Sequence, residues 1–132
     1  MPGAEGQKFQ FPNRRISRCE KVVYREPADA TRPADETNCR VERRFYVRCG
    51  FDTDGAVREI FFAAKKETSD LVELATDTCI LISQQLQEGA RLTELAVHAP
   101  KGFLGTIIAT AIKIEADRGE EVRREYQGEV AA

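Results

Sequence analysis

The chain of 132 residues has no apolar run near the ~20 residues that a membrane-spanning helix needs, and no charged-then-apolar leader opens it. A cytoplasmic location without a membrane partner is the expectation. Histidine occurs once, at His98, and the cysteines Cys19, Cys39, Cys49 and Cys79 stand 20, 10 and 30 residues apart with no C-x-x-C pair. Structural zinc sites bring thiolates in close pairs that converge on one ion, so this spacing argues against zinc. Without a secretion signal a disulfide framework is not expected either. Cys49 and Cys79 fall on apolar faces and read as small buried hydrophobes. Lys101-Gly102-Phe103-Leu104-Gly105-Thr106 lacks the G-x-x-x-x-G-K-[ST] spacing whose amides and lysine cradle phosphate, and reads as a helix start. His98 has no neighbouring nucleophile or carboxylate motif and reads as a surface turn residue. Asp52 and Asp54 sit in a turn and lack the alternation and the glutamate of a calcium loop. No catalytic residue, no metal and no cofactor is expected, and the chain is not read as an enzyme.

A chain of this length forms one domain that buries roughly two-thirds of its unfolded surface. Its composition, 42% hydrophobic and 32% charged, is that of an ordinary soluble protein. The most informative stretch runs from Val41 to Gly89. Val41, Arg43, Phe45, Val47 and Cys49 alternate with Arg40, Glu42, Arg44, Tyr46 and Arg48, the period-2 pattern of a strand with two unlike faces. The turn Asp52-Thr53-Asp54-Gly55 follows, and Val57 to Ala64 returns as a second, more apolar strand. A long amphipathic helix comes next. Thr68 or Ser69 caps its start, and Leu71, Leu74, Ala75, Thr78, Cys79, Ile82 and Leu86 form its stripe at three- and four-residue spacing. Val72, Ile80 and Leu81 widen that stripe, so the helix needs cover on more than one side. Gly89 ends it by taking a left-handed conformation.

Upstream, Ile16 to Tyr24 reads as a first strand, rich in β-branched and aromatic residues. Pro27 to Asn38 has two prolines, three acids and no large apolar group, and reads as a loop or linker. Downstream, Leu92 to Val97 holds a helical turn or two. Phe103 to Ala116 reads as a last helix, with its β-branched residues leaving strand as the alternative. The expected fold class is α+β: a small antiparallel sheet of about three strands against two or three helices. Residues 1–12 are expected as a disordered or extended arm, 13–118 as one domain, and 119–132 as a flexible tail.

Charge is unevenly spread. Residues 1–50 carry 11 Lys/Arg against 7 Asp/Glu, a net +4, whereas residues 51–132 carry 9 against 15, a net −6. The basic half suits phosphate, an acidic partner, or ion pairing with the acidic half. The candidate binding residues are Arg14, Arg15, Arg18, Arg40, Arg43, Arg44, Tyr46 and Arg48, with Lys21 beside them if the first strand pairs with the hairpin. Arg44, Tyr46 and Arg48 alternate onto one strand face, an aromatic between two guanidinium groups, which suits a phosphate backbone and a stacked base. The plain alternative is that this is the solvated face of a two-layer domain.

The segments FYVRCGFDTDGAVREIFFAA and LVELATDTCILISQQLQEGARLTEL resemble the TSCPD domain family, found mainly at the carboxyl end of vitamin B12-dependent ribonucleotide reductases and also as small stand-alone proteins. Asp52 to Gly55, Glu59-Ile60-Phe61 and Ile82 to Gly89 occupy the places of its turn, second strand and helix end. The Thr-Ser-Cys-Pro-Asp string that names the family is absent here, and Lys65-Lys66-Glu67-Thr68-Ser69 replaces the glycine-serine step before the helix. Without a reductase barrel no radical chemistry is expected, and without closely spaced cysteines no thiol shuttle. The resemblance implies an accessory module, non-enzymatic, that binds a protein partner linked to the reductase or associates with itself as a homodimer. A nucleic-acid-binding module using the arginine-rich face is the alternative.

Overall fold

A computed structural model describes residues 15–131. Arg14 and the arm expected over residues 1–12 lie outside the described residues. Three strands form one antiparallel sheet in chain order: β1 (Ile16–Glu26), β2 (Val41–Phe51) and β3 (Val57–Ala63). β1 and β2 pair along their whole length, from Ile16 opposite Phe51 to Glu26 opposite Val41. The alternation in β2 sorts its side chains as the pattern predicts. Phe45, Val47 and Cys49 are buried on the inner face, and Glu42, Arg44, Tyr46 and Arg48 are exposed on the outer one.

The β2–β3 connection carries one irregularity. Gly50 pairs with Glu59 but Phe51 pairs with Val57, so Arg58 is the extra residue of a β-bulge. The turn itself is held by Asp52, whose Oδ1 accepts from Asp54 N at 2.9 Å and Ala56 N at 3.0 Å. The loop between β1 and β2 is ordered by polar contacts in place of an apolar core. Asn38 is 1% exposed; its Nδ2 donates to the carbonyls of Asp29, Arg32 and Pro33, and its Oδ1 accepts from Asp29 N. One buried amide therefore does what the missing large side chains cannot.

Helix α1 (Ser69–Gln87) starts at Thr68, whose Oγ1 accepts from Leu71 N at 3.4 Å, and stops at Gly89 with φ +114°. It runs along the free edge of β3. Ser83 Oγ accepts from Ile60 N at 2.9 Å and donates to Ile60 O at 3.3 Å, and Gln87 Nε2 donates to Arg58 O. The strand edge, a row of unpaired amides and carbonyls, is thereby closed. Helix α2 (Leu92–Ala96) is short and seats the buried Leu92.

The inner face of the sheet is covered by α3 (Phe103–Ala131), which settles helix over strand for residues 103–116. Ile107, Ala111 and Ile114 pack on it, and Phe103 stands edge-on to Phe45 and Phe62, with ring centroids 5.1 and 5.7 Å away. The expectation of a flexible tail over 119–132 is overturned. The helix continues through Ala131, and Val122 and Tyr126 are 0% and 3% exposed. Tyr126 Oη accepts from Ile16 N at 2.8 Å and donates to Phe51 O at 2.9 Å, so the last turns of α3 lock the end of the β1–β2 pair. The domain boundary expected at 118 falls inside this helix.

Gly119 makes the long helix possible. A Cβ there would lie 2.6 Å from Gly55 O, and a Cβ on Gly55, at φ +81°, would lie 2.1 Å from Gly119 O. Only two glycines let the hairpin turn and α3 cross this closely. In an isolated helix Gly119→Ala would stabilise by about 1 kcal/mol. Here it is expected to destabilise by about 1–3 kcal/mol, because the added methyl overpacks the crossing. Chemical denaturation measures the sign, and a stabilised variant would contradict the contact.

Candidate interaction surface

The seven candidate residues within the described region do not converge on one face. Arg18 lies on the side of β1 that faces α3, where it is ion-paired with Glu121 at 3.1 Å and with Glu125. Arg43 lies on the inner face of β2, paired with Glu67 at 2.9 Å and 5.8 Å from the Phe103 ring centroid. Arg15 pairs with Glu59 at 2.9 Å, and Arg40, just before β2, pairs with Glu26. The cause is strand geometry: Arg18 and Arg43 occupy inward positions, whereas Arg44, Tyr46 and Arg48 point outward. Arg15, Arg18 and Arg43 of the basic half thus pair with carboxylates of the acidic half, and Lys113 of the acidic half pairs in turn with Glu20 at 2.6 Å.

What remains outside is a smaller surface. Register sets Lys21 opposite Tyr46, Val23 opposite Arg44, and Arg48 opposite both Cys19 and Phe61. The Arg48 guanidinium stacks 4.5 Å from the Phe61 ring centroid. Lys65 and Lys66, leaving β3, join Lys21, Glu42, Arg44, Tyr46 and Glu67 around an open groove of about 530 Å³, where Glu42 pairs with Arg44 at 3.0 Å. Among the described residues no carboxylate lies within ion-pair distance of Lys21, Lys65 or Lys66.

The second half of the surface belongs to α1. Ala75, Cys79 and Leu86 are buried, but Leu74, Ile80 and Leu81 are 65%, 50% and 63% exposed. Because α1 lies at a sheet edge instead of on a sheet face, the chain covers only one of its sides. The stripe read as broad in the sequence is left partly open. Ile80 and Phe61 line one groove of about 240 Å³, so the Ile80 side of α1 and the outer sheet face are neighbours.

The residue that sequence reasoning missed is Arg58. It is 5% exposed, and its Nε lies 2.9 Å from Oδ2 of Asp52, itself 5% exposed. Its guanidinium also donates to the carbonyls of Leu86 and Ala90, both at 3.0 Å. The C-terminal end of α1, where the dipole favours a cation, is thereby tied to the hairpin turn. The available signal was a charged residue in phase with Ile60 and Phe62, at a position that the period-2 alternation turns inward. Among the described residues no three His, Cys, Asp or Glu side chains converge as metal ligands, and no helix is long and apolar enough to cross a membrane. His98 is exposed after α2.

The sequence model of the TSCPD domain matches residues 20–116, from within β1 to within α3. The chain belongs to the TSCPD domain family. No curated protein and no solved structure gives a match. The family match takes in β2, β3, α1 and the Asp52–Arg58 pair, whereas Gly119, Val122 and Tyr126 of this TSCPD domain lie beyond it.

The cysteines of the domain differ sharply in environment. Cys19 is exposed on the outer face and Cys39 is partly exposed, whereas Cys49 and Cys79 are buried. Burial raises the Cys49 thiol and pushes the Cys79 thiol up to about 11 from its ordinary 9.0. Both buried thiols stay neutral, so their contribution to stability is complete below pH 9.0 and, for Cys79, is lost as pH rises through about 11. A thiol-reactive chromophore at neutral pH is expected to label Cys19 quickly and to label Cys49 and Cys79 only at the rate of unfolding. Equal labelling of all four would contradict this packing.

Removing Arg58 is expected to be costly. Arg58→Met leaves the Asp52 carboxylate buried and unpaired, a loss of about 3–5 kcal/mol in denaturant titration. A loss below about 1 kcal/mol would show that the pair does not anchor α1.

Proposed function

We propose that this TSCPD domain is a non-enzymatic accessory module that docks a protein partner on the surface shared by α1 and the outer sheet face. One observation carries the reading. Leu74, Ile80 and Leu81 are exposed on a well-formed helix and Ile80 adjoins exposed Phe61, in a domain that buries Ala75, Cys79 and Leu86 of the same helix. Clustered apolar side chains rimmed by charge are the anatomy of a binding patch. The family occurs on B12-dependent ribonucleotide reductases, so a reductase subunit is the partner class to test first, with self-association as the other form of the same reading. A cytoplasmic setting is consistent with four free cysteines.

Nucleic-acid binding is supported by a separate observation: Tyr46 stands between Arg44, which pairs with Glu42, and Arg48, beside three lysines with no acidic partner among the described residues. Such a face suits stacking and phosphate contact.

The two readings part in one experiment. The domain is immobilised and challenged with purified reductase subunit, with further copies of itself, and with single-stranded oligonucleotide, in each case as native protein and as Leu74→Glu/Leu81→Glu. Protein capture that the double variant weakens by about 100-fold or more is the expected result. Oligonucleotide retention that falls steeply with salt and ignores the α1 changes would favour the second reading instead.

A further inference from the structure

Resting on the reading that α1 and the outer sheet face form a docking surface, we propose that its occupant is a second copy of this chain, arranged so that α1 of each protomer lies across the outer sheet face of the other. Charge points to this. From Ser69 to Gln87, α1 contains Asp70, Glu73 and Asp77 and not one lysine or arginine. The sheet side of the surface carries Lys21, Arg44, Arg48, Lys65 and Lys66 against Glu42, which pairs with Arg44 at 3.0 Å. Lys21, Lys65 and Lys66 have no carboxylate within ion-pair distance among the described residues, while most other cations of the domain do. Each half thus offers what the other lacks.

The apolar groups match in the same way. Leu74, Ile80 and Leu81 stand out on α1, and Val23, Tyr46 and Phe61, each between 37% and 39% exposed, stand out on the sheet. The aliphatic set of one copy has a counterpart on the other in Tyr46 and Phe61 with Val23 beside them. An α1-on-α1 contact would bring together two helices with no cation for Asp70, Glu73 or Asp77.

Topology permits the exchange to close. A two-fold dimer needs one patch that is complementary to itself under rotation, and the two halves must therefore sit side by side. They do: Ile80 of α1 and Phe61 of β3 line the same groove. A two-fold axis passing near that groove sets each acidic helix against a basic face, so the contact is made twice and leaves no open end to propagate.

The test uses two charge-reversed forms of the full chain. In the first, Lys65→Glu/Lys66→Glu makes the sheet side acidic. In the second, Asp70→Lys/Glu73→Lys makes α1 basic. Sedimentation equilibrium is expected to give a mass near twice 14.8 kDa for the native chain. Each reversed form alone is expected to dissociate at least about tenfold more readily. An equimolar mixture of the two is expected to recover the native affinity, because both crossed contacts then pair opposite charges. All the substituted residues are on the surface, and circular dichroism verifies that each form is folded. A native chain that stays monomeric at about 100 μM, where interfaces of standard size are well populated, would overturn the second-copy assignment. In that case capture of a reductase subunit, lost in Leu74→Glu/Leu81→Glu, would still uphold the docking reading, and loss of both would remove it. Dimers that ignore either reversal, or a mixture that does not recover, would overturn the crossed arrangement. Salt-sensitive oligonucleotide binding by a monomer would overturn it in favour of nucleic acid.

Discussion

The buried ion pair between Asp52 and Arg58 is the constraint on which the rest of this domain depends. Asp52 closes the β2–β3 turn with two backbone amides and presents its second oxygen to Arg58. Arg58, the extra residue of the β-bulge, meets that carboxylate, and its other donors meet the carbonyls at the end of α1. Two charges taken out of water are costly unless each is fully hydrogen-bonded, and here each is shared among several partners. The pair therefore fixes three things together: the hairpin turn, the bulge, and where α1 stops.

Placement of α1 follows from that anchor. Held at its C-terminal end by Arg58 and along its length by Ser83 and Gln87, the helix closes the edge of β3 and cannot also cover the sheet. The sheet is covered by α3 instead. One side of α1 and the outer face of the sheet are left next to each other and open, one acidic and aliphatic, the other basic and aromatic. The surface proposed for binding is thus a by-product of how the strand edge is protected.

Much of this was legible in the residues. Period-2 alternation in β2 sorts inward from outward side chains, and the stripe in α1 marks both the buried side and the excess of apolar groups that the chain leaves uncovered. Three features were not legible, each for a physical reason. The arginines looked like one cluster because sequence distance ignores which face a strand position takes; Arg18 and Arg43 point inward to carboxylates on other elements. The last turns of α3 looked like a tail because Arg118 to Glu121 are polar around a glycine. Their helical support comes from i,i+3 pairs such as Arg118–Glu121 and from Val122 and Tyr126, which continue the spacing of Ala111, Glu115 and Gly119. The loop before β2 looked unable to order because its order rests on one amide, Asn38, and not on apolar area.

In the proposed complex the open side of α1 and the basic sheet face are covered. Amine reactivity tests it most directly, with each lysine read separately by mass spectrometry as protein concentration is raised. Lys21, Lys65 and Lys66 are expected to become protected together, while Lys101, away from that surface, keeps its rate. Uniform rates at all four lysines across the concentration range would contradict the account.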